Sequence, residues 1–550
     1  MSFVATLNVL SALAVSAAAA LTLGAANAQQ PGIEVRQLGA VDPFEVGAGG
    51  ALPGEVWSSG DAAALRAALE SLPDSRSAGW SNGPAARLAL RALLSGGAPP
   101  DGAEGAYDVA AMRAGRALAA GRAQPVQRLL ERTPSINESP ALSRLLAETS
   151  FALGEISEAC RAADALLEGR DTPYWLRARA ACLAFNDNKP AAELTAELAR
   201  ASAPNPEFDA FFEALVFDEP LPDIKPVSGL QLALAARIAP EARIAAGEDA
   251  PAWLARAAER TGPPISLPET LPEALEAAVN LQGADRAAAL GALIGQDLDR
   301  EIAGEALAIR LEDARDDGDF LDVASAYGGE VARLPITGDT LAHGMIFALA
   351  ALAADDVVAA DAWREALMDG PPLAARAPVL QTAAADAPGG PSDMTQPPGY
   401  AESAIEEPEW TPPPAGAMVR LDFARAVAEG RIDTDGFAAL MGARIEGATP
   451  ARLCQAAGLA ALGAEDDGAI RAAMTGLARD ADAPAPVLGP MLLAASAGAL
   501  GETQLLAAHA LEQAPDSAEV CAVAALALDR AGLRGEALRL ILEQILTEAA

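Results

Sequence analysis

Two lysines, Lys189 and Lys225, and two histidines, His343 and His509, are all that 550 residues hold of either type. Basic residues number 39 against 76 acidic ones, for a formal charge of −37. Nucleic-acid binders draw affinity from cationic side chains that displace counterions from phosphate, so this balance argues against that class of partner. An anionic bilayer repels the same acidic field. The excess is spread along the chain and reads as a solubilising surface rather than as an acidic tail. Aromatic residues make up only 4%. The apolar half is therefore mostly alanine and leucine, a composition that favours helix over sheet.

The residues of metal and nucleophile chemistry are equally sparse. No C-x2-C or H-x3-H spacing of a zinc site occurs, and neither a Walker loop nor a dinucleotide glycine fingerprint is present. Asp313–Gly318 and Arg431–Gly436 each end in Asp-Gly like the first half of an EF-hand loop. The first, however, has Arg315 at position 3 and Ala324 at position 12, and the second has Arg431 at position 1 and Gly442 at position 12. A calcium loop needs oxygen ligands at these places, so both read as turns. Gly79-Trp80-Ser81-Asn82-Gly83 matches the letters of a G-x-S-x-G nucleophile elbow. An elbow needs a strand leading into the serine, whereas Pro73-Asp74-Ser75-Arg76-Ser77 is a polar loop. Ser81 or Asn82 is expected to cap the helix that follows from Pro84. Paired carboxylates such as Glu406-Glu407 carry no weight in a chain this acidic. No catalytic residue, cofactor-binding residue or metal ligand is assigned, and no cofactor is expected.

Long apolar runs are missing except at the start. Residues 1–28 carry no charged side chain, and the run Val9–Leu23 leads into Ala26-x-Ala28, the small-residue pattern of a signal-peptidase site. Cleavage is expected between Ala28 and Gln29, with export to the periplasm or beyond. No basic residue precedes the run, which keeps an uncleaved inner-membrane anchor as the alternative, although Val9–Leu23 is short for the ~20 residues of a span. No later segment runs 18 residues without a charge or a breaker, so no membrane insertion beyond the leader is expected. The four cysteines suit an oxidising compartment. Cys160 and Cys182 sit in consecutive helical patterns and are expected to bridge. Cys454 and Cys521 are separated by about two helical hairpins, and their pairing stays open.

Residues 29–57, rich in glycine and proline, read as an extended arm. From the capping cluster Ser58-Ser59-Gly60-Asp61 to residue 382, helices recur with short turns such as Leu153-Gly154-Glu155, Asn186-Asp187-Asn188 and Asp316-Asp317-Gly318. Residues 383–416, with Pro397-Pro398 and Pro412-Pro413-Pro414, read as an acidic linker. Helical rhythm resumes over 417–550. The expected fold is all-α: a solenoid of stacked helical hairpins in two blocks joined by the linker.

Self-similarity supports that class. Leu146-Ala147-x2-Ser150 is followed by a turn at Gly154 and by Ala159-x3-Ala163. Trp175-x2-Ala178-Arg179-x2-Cys182 follows with a turn at Asn186 and Ala191-x3-Thr195. Near the end come Cys521-x2-Ala524-Ala525-x2-Leu528, a turn at Gly532 and Ala537-x3-Ile541. This spacing resembles the tetratricopeptide repeat, with Trp175, Ala178, Ala191 and Ala537 at repeat-core positions and Arg179 where the family has glycine. The resemblance implies a curved array that holds a protein or peptide segment. The expected function is an exported, non-catalytic binding scaffold of the cell envelope, with an envelope hydrolase or a structural envelope component as alternatives. Tyr174 is considered as a contact residue, against packing within its own hairpin. Because buried alanines remove little area each, large anchors should matter: Trp175→Ala is expected to lower unfolding free energy by ~3–5 kcal/mol, measured by denaturant titration.

Overall fold

Among the described residues, alanine and leucine recurring at helical spacing between turn residues form helices. A computed structural model describes residues 41–49, 52–53, 55–77, 79–103, 105–260, 262–263, 265–295, 299–370, 410–431, 449–463, 487–515 and 517–549. Among these residues the fold is all-α, with no strand. The first helices are α1 (Ala62–Ser71), α2 (Gly83–Leu93), α3 (Tyr107–Ala119), α4 (Ala123–Arg132), α5 (Pro140–Ala152), α6 (Ile156–Ala165), α7 (Pro173–Phe185) and α8 (Lys189–Ser202). Next come α9 (Pro206–Val216), α10 (Gly229–Ile238), α11 (Ala252–Arg260), α12 (Leu271–Asn280), α13 (Gly283–Ile294), α14 (Arg300–Asp316), α15 (Phe320–Val331) and α16 (Gly338–Leu341). The last are α17 (Gly344–Ala353), α18 (Val357–Asp369), α19 (Ala415–Ala428), α20 (Pro450–Ala461), α21 (Leu488–Ala497), α22 (Leu500–Gln513), α23 (Ala518–Arg530) and α24 (Arg534–Ala549). The leader, its Ala28/Gln29 junction and residues 383–409 of the proline-rich stretch lie outside the described residues.

One turn recurs in the hairpins. Three residues separate the helices in Leu153-Gly154-Glu155, Asn186-Asp187-Asn188, Asp317-Gly318-Asp319, Ala354-Asp355-Asp356 and Ala531-Gly532-Leu533. The middle residue is left-handed each time, with φ of 77°, 57°, 79°, 62° and 90°. Glycine adopts that conformation freely, and aspartate tolerates it better than most residues. The third residue then donates its N–H back into the preceding helix, as Glu155 does to Ser150 (2.8 Å) and Leu533 to Leu528 (2.8 Å). This Schellman bond satisfies a carbonyl that the helix end would leave bare.

The recurring turn also corrects the spacing between two of these hairpins. The left-handed residues Gly154 and Asp187 stand 33 positions apart, one more than the spacing read from the sequence. Ala192, not Ala191, therefore occupies the place of the buried Ala159. Ala191 is partly exposed, while Ala192, Ala196 and Ala199 form the packed face of α8. Trp175, Ala178 and Ala537 are buried. Cys160 and Cys182 lie at disulfide distance, Cα to Cα 5.6 Å. Cys454 and Cys521 do so too, at 5.3 Å, because α20 and α23 pack directly against one another.

The chain does not divide where the proline-rich stretch divides the sequence. Described residues from Asp42 onward belong to one compact unit. Helix α18 packs on α19 across the stretch, and α22 and α24 return to α1 and α2. The arm expected over 29–57 is likewise part of this unit from Asp42. Phe44 and Trp57 are buried, meeting edge to face at 5.8 Å. The guanidinium of Arg113 lies 5.4 Å from both rings. Arg113 is itself 2% exposed, and it donates to the carbonyls of Leu93 (2.8 Å), Ser95 (2.6 Å), Val46 (3.1 Å) and Phe44 (3.3 Å). These acceptors stitch the arm to the end of α2. Burial pushes its pKa down to about 9, with Asp42 opposing the shift.

Helix α22 lies close to the arm because position 501 is glycine. Gly501 donates its N–H to Val56 O (2.8 Å), and a Cβ there would stand 2.5 Å from the Trp57 ring. Gly501→Ala is expected to cost ~1–3 kcal/mol through overpacking. Gly489→Ala, a site with nothing within 4 Å, is the control. Urea titration of both variants checks the difference.

Candidate functional site: an arginine and carboxylate junction beside Ser81

The chemistry-bearing groups that the sequence scatters most widely meet at the start of α2. Asn82 caps this helix, its Oδ1 accepting from Ala85 N (2.9 Å). A second cap comes from α22. Glu512 accepts from Ser81 N (2.8 Å), Ser81 Oγ (2.7 Å) and Asn82 N (3.0 Å). A carboxylate suits the positive end of a helix, so this contact joins the two ends of the described chain. Gln504, about two turns earlier on α22, donates to the buried carbonyl of Leu88 (2.7 Å).

This geometry places Ser81 within a helix cap. No strand leads into it; the preceding described residues form a loop, as the sequence predicts. The hydrogen bond that a nucleophilic serine would make to an imidazole goes instead to Glu512. His509 lies on α22 with Glu512, and burial pushes its pKa down while Glu512 opposes that shift. His343 precedes α17 and its ring faces Phe347, centroids 6.3 Å apart. The two histidines serve separate elements.

Past the cap, α2 presents Arg87 and Arg91 to α24. Arg87 Nε lies 3.0 Å from Glu543, and Arg91 reaches Glu543 (2.8 Å) and Glu536 (2.6 Å). Arg87 also binds Asp322 (3.0 Å) and Ser325 (3.0 Å) on α15. Asp322 further accepts from Arg122, in the turn between α3 and α4, and faces Arg256 of α11. Arg539 extends the network from Glu543 (3.5 Å) to Asp355 (2.5 Å). Six parts of the chain are thereby tied through alternating charges.

Burial governs the energetics. Glu543 is 3% exposed at its side chain. Burial alone would push its pKa up, but Arg91, Arg87 and Arg539 together hold it below the usual carboxylate range. Asp322 is held low in the same way by Arg122 and Arg87. The matching guanidiniums, Arg87 and Arg91, are raised by these carboxylates against the opposing effect of burial. Beside the network lies a cavity of about 350 Å³, bordered by Trp80, Ser81, Arg122, Arg256, Asp319 and Asp322. Its cations and anions largely satisfy one another, which makes the junction a structural clasp first.

The other sequence candidates go elsewhere. Asp313, from the first EF-hand-like loop, makes a two-pronged pair with Arg286 (2.7 and 3.0 Å). The second loop lies outside the described residues after Arg431. Among the described residues no group of three or more His, Cys, Asp or Glu side chains is arranged to hold a metal ion, and no helix is long and apolar enough to cross a membrane. The two cysteine pairs are compatible with an oxidising, exported environment. Tyr174 packs edge to face on Trp175 (5.0 Å), with Arg144 over its ring (4.4 Å). Sequence reading missed Arg113, Arg87 and Glu543, whose only signal was a charged residue inside an otherwise apolar helical face.

Removing one partner from a buried ion pair leaves the other uncompensated. Glu543→Gln is expected to cost ~3–5 kcal/mol at neutral pH, read from denaturant unfolding. Because the folded pKa values of Glu543 and Asp322 are depressed, their contribution is complete above the ordinary carboxylate range, about pH 4, and is lost as pH falls below it. The difference between wild type and variant should narrow on that acid side.

Comparison with protein families, curated proteins and solved structures finds no match to this chain.

Proposed function

We propose that this chain is an exported, non-catalytic helical-repeat scaffold that binds a protein or peptide segment in the cell envelope. The observation that carries this reading is the recurring hairpin. The same three-residue left-handed turn joins helix pairs from α5–α6 to α23–α24. Such pairs stack because one alone buries too little, and stacked pairs expose long helical faces on which segments of other chains can lie. The tetratricopeptide-like spacing belongs with this reading. Ser81, whose hydroxyl is engaged by Glu512, acts in it as a cap and not as a nucleophile. The paired cysteines and the uncharged, apolar first 28 residues support export.

In-cell crosslinking followed by mass spectrometry tests the proposal. A reproducible protein partner joined to the exported chain is the expected result. Turnover of ester or glycan substrates by the purified protein, abolished by Ser81→Ala, would overturn the scaffold reading.

A further inference from the structure

We propose that the cleft between α5, α7 and α10 captures the C-terminal residue of a partner chain, an apolar side chain together with its free carboxylate. The proposal rests on the scaffold reading and names the chemistry of its partner. The cleft encloses about 210 Å³ and is walled by Phe151, Ile156, Phe185, Leu232 and Ala236. The two phenylalanine rings pack on one another, centroids 6.4 Å apart and tilted by 45°, and give the cleft an aromatic wall against which an apolar side chain can lie.

A single charged residue, Arg237, lines the cleft. It is exposed, at the last turn of α10, and among the described residues no carboxylate pairs with it. The junction beside α2 shows the opposite habit, with every guanidinium there bound to an acid. A guanidinium lining an apolar cleft, in a chain of charge −37, suits an anion attached to an apolar body. A chain terminus carries both within one residue, and Arg binds a carboxylate through two parallel N–H bonds. The volume is below the ~300 Å³ at which sites for drug-sized ligands begin, so it favours one residue over a long acyl chain.

The walls are held before any ligand arrives. Gly229, at the first turn of α10, brings that helix so close to α5 that a Cβ would stand 2.0 Å from Glu148 O. Its N–H donates to the Glu148 carboxylate (2.7 Å). A cleft fixed in this way loses little conformational freedom on binding.

Fluorescence anisotropy with the full chain tests the assignment. The probe is an N-terminally labelled Gly/Ser peptide ending in leucine, made once with a free carboxylate and once as the amide. The carboxylate form is expected to bind more tightly by about tenfold. Arg237→Gln should remove that difference by weakening only the carboxylate form. Ala236→Trp should block both peptides by filling the cleft, and Arg237→Gln, at an exposed position, carries the test if that variant does not fold. Equal binding of acid and amide, no saturable binding of either, or an unchanged Arg237→Gln variant would overturn the proposal. Decanoate binding that displaces the peptide and exceeds it in affinity would overturn the peptide as occupant. A crosslinked envelope partner retained by both variants would sink this cleft while leaving the scaffold reading in place; its loss from Arg237→Gln would support both.

Discussion

Everything in the described fold depends on how a late helix meets an early one. Arg87 and Arg91 of α2 face Glu536 and Glu543 of α24, while Glu512 of α22 caps the start of α2. An array of hairpins has no inherent reason to return to its beginning. Each pair contacts its neighbours, and the ends would normally stay apart. Here charges at opposite ends of the sequence are buried together, and each is costly unless the other is present. The clasp thus makes the terminal helices interdependent, and Asp322 draws the middle of the chain into it.

The rest is built from small residues. Alanine buries little apolar area, so at ~25 cal/mol per Å² no single alanine contributes much. What alanine and glycine supply is proximity. Gly501 lets Trp57 lie against α22, and Gly229 lets α10 press on α5. The few aromatic residues are spent where such approaches need a large partner, as with Phe44 and Trp57 around Arg113. Arg113 does for the arm what the clasp does for the termini: a buried cation gathers carbonyls from several segments and fixes their relative positions.

The same economy explains the cleft proposed for a chain terminus. Where α5 and α7 end, Phe151 and Phe185 face a helix with alanines at 233 and 236. Small side chains opposite large ones leave space, and the fixed approach at Gly229 keeps that space from collapsing.

Composition and local pattern determined the helical class, the turns at Gly154, Asn186–Asn188 and Gly532, the cap at Asn82 and the burial of Trp175. Those are short-range matters: helix propensity, capping and the left-handed residue act within a few positions of one another. The register around Ala191 slipped by one because a single-residue difference between hairpins is set by the turn's hydrogen bonds, not by the alanine pattern. Only the tertiary structure decided that Cys454 meets Cys521, that Phe44 and Trp57 are core, and that Arg87 pairs with Glu543. Each of those contacts joins residues whose separation along the chain says nothing about their distance in space. A buried charge reads in sequence like any surface charge until its partner's position is known.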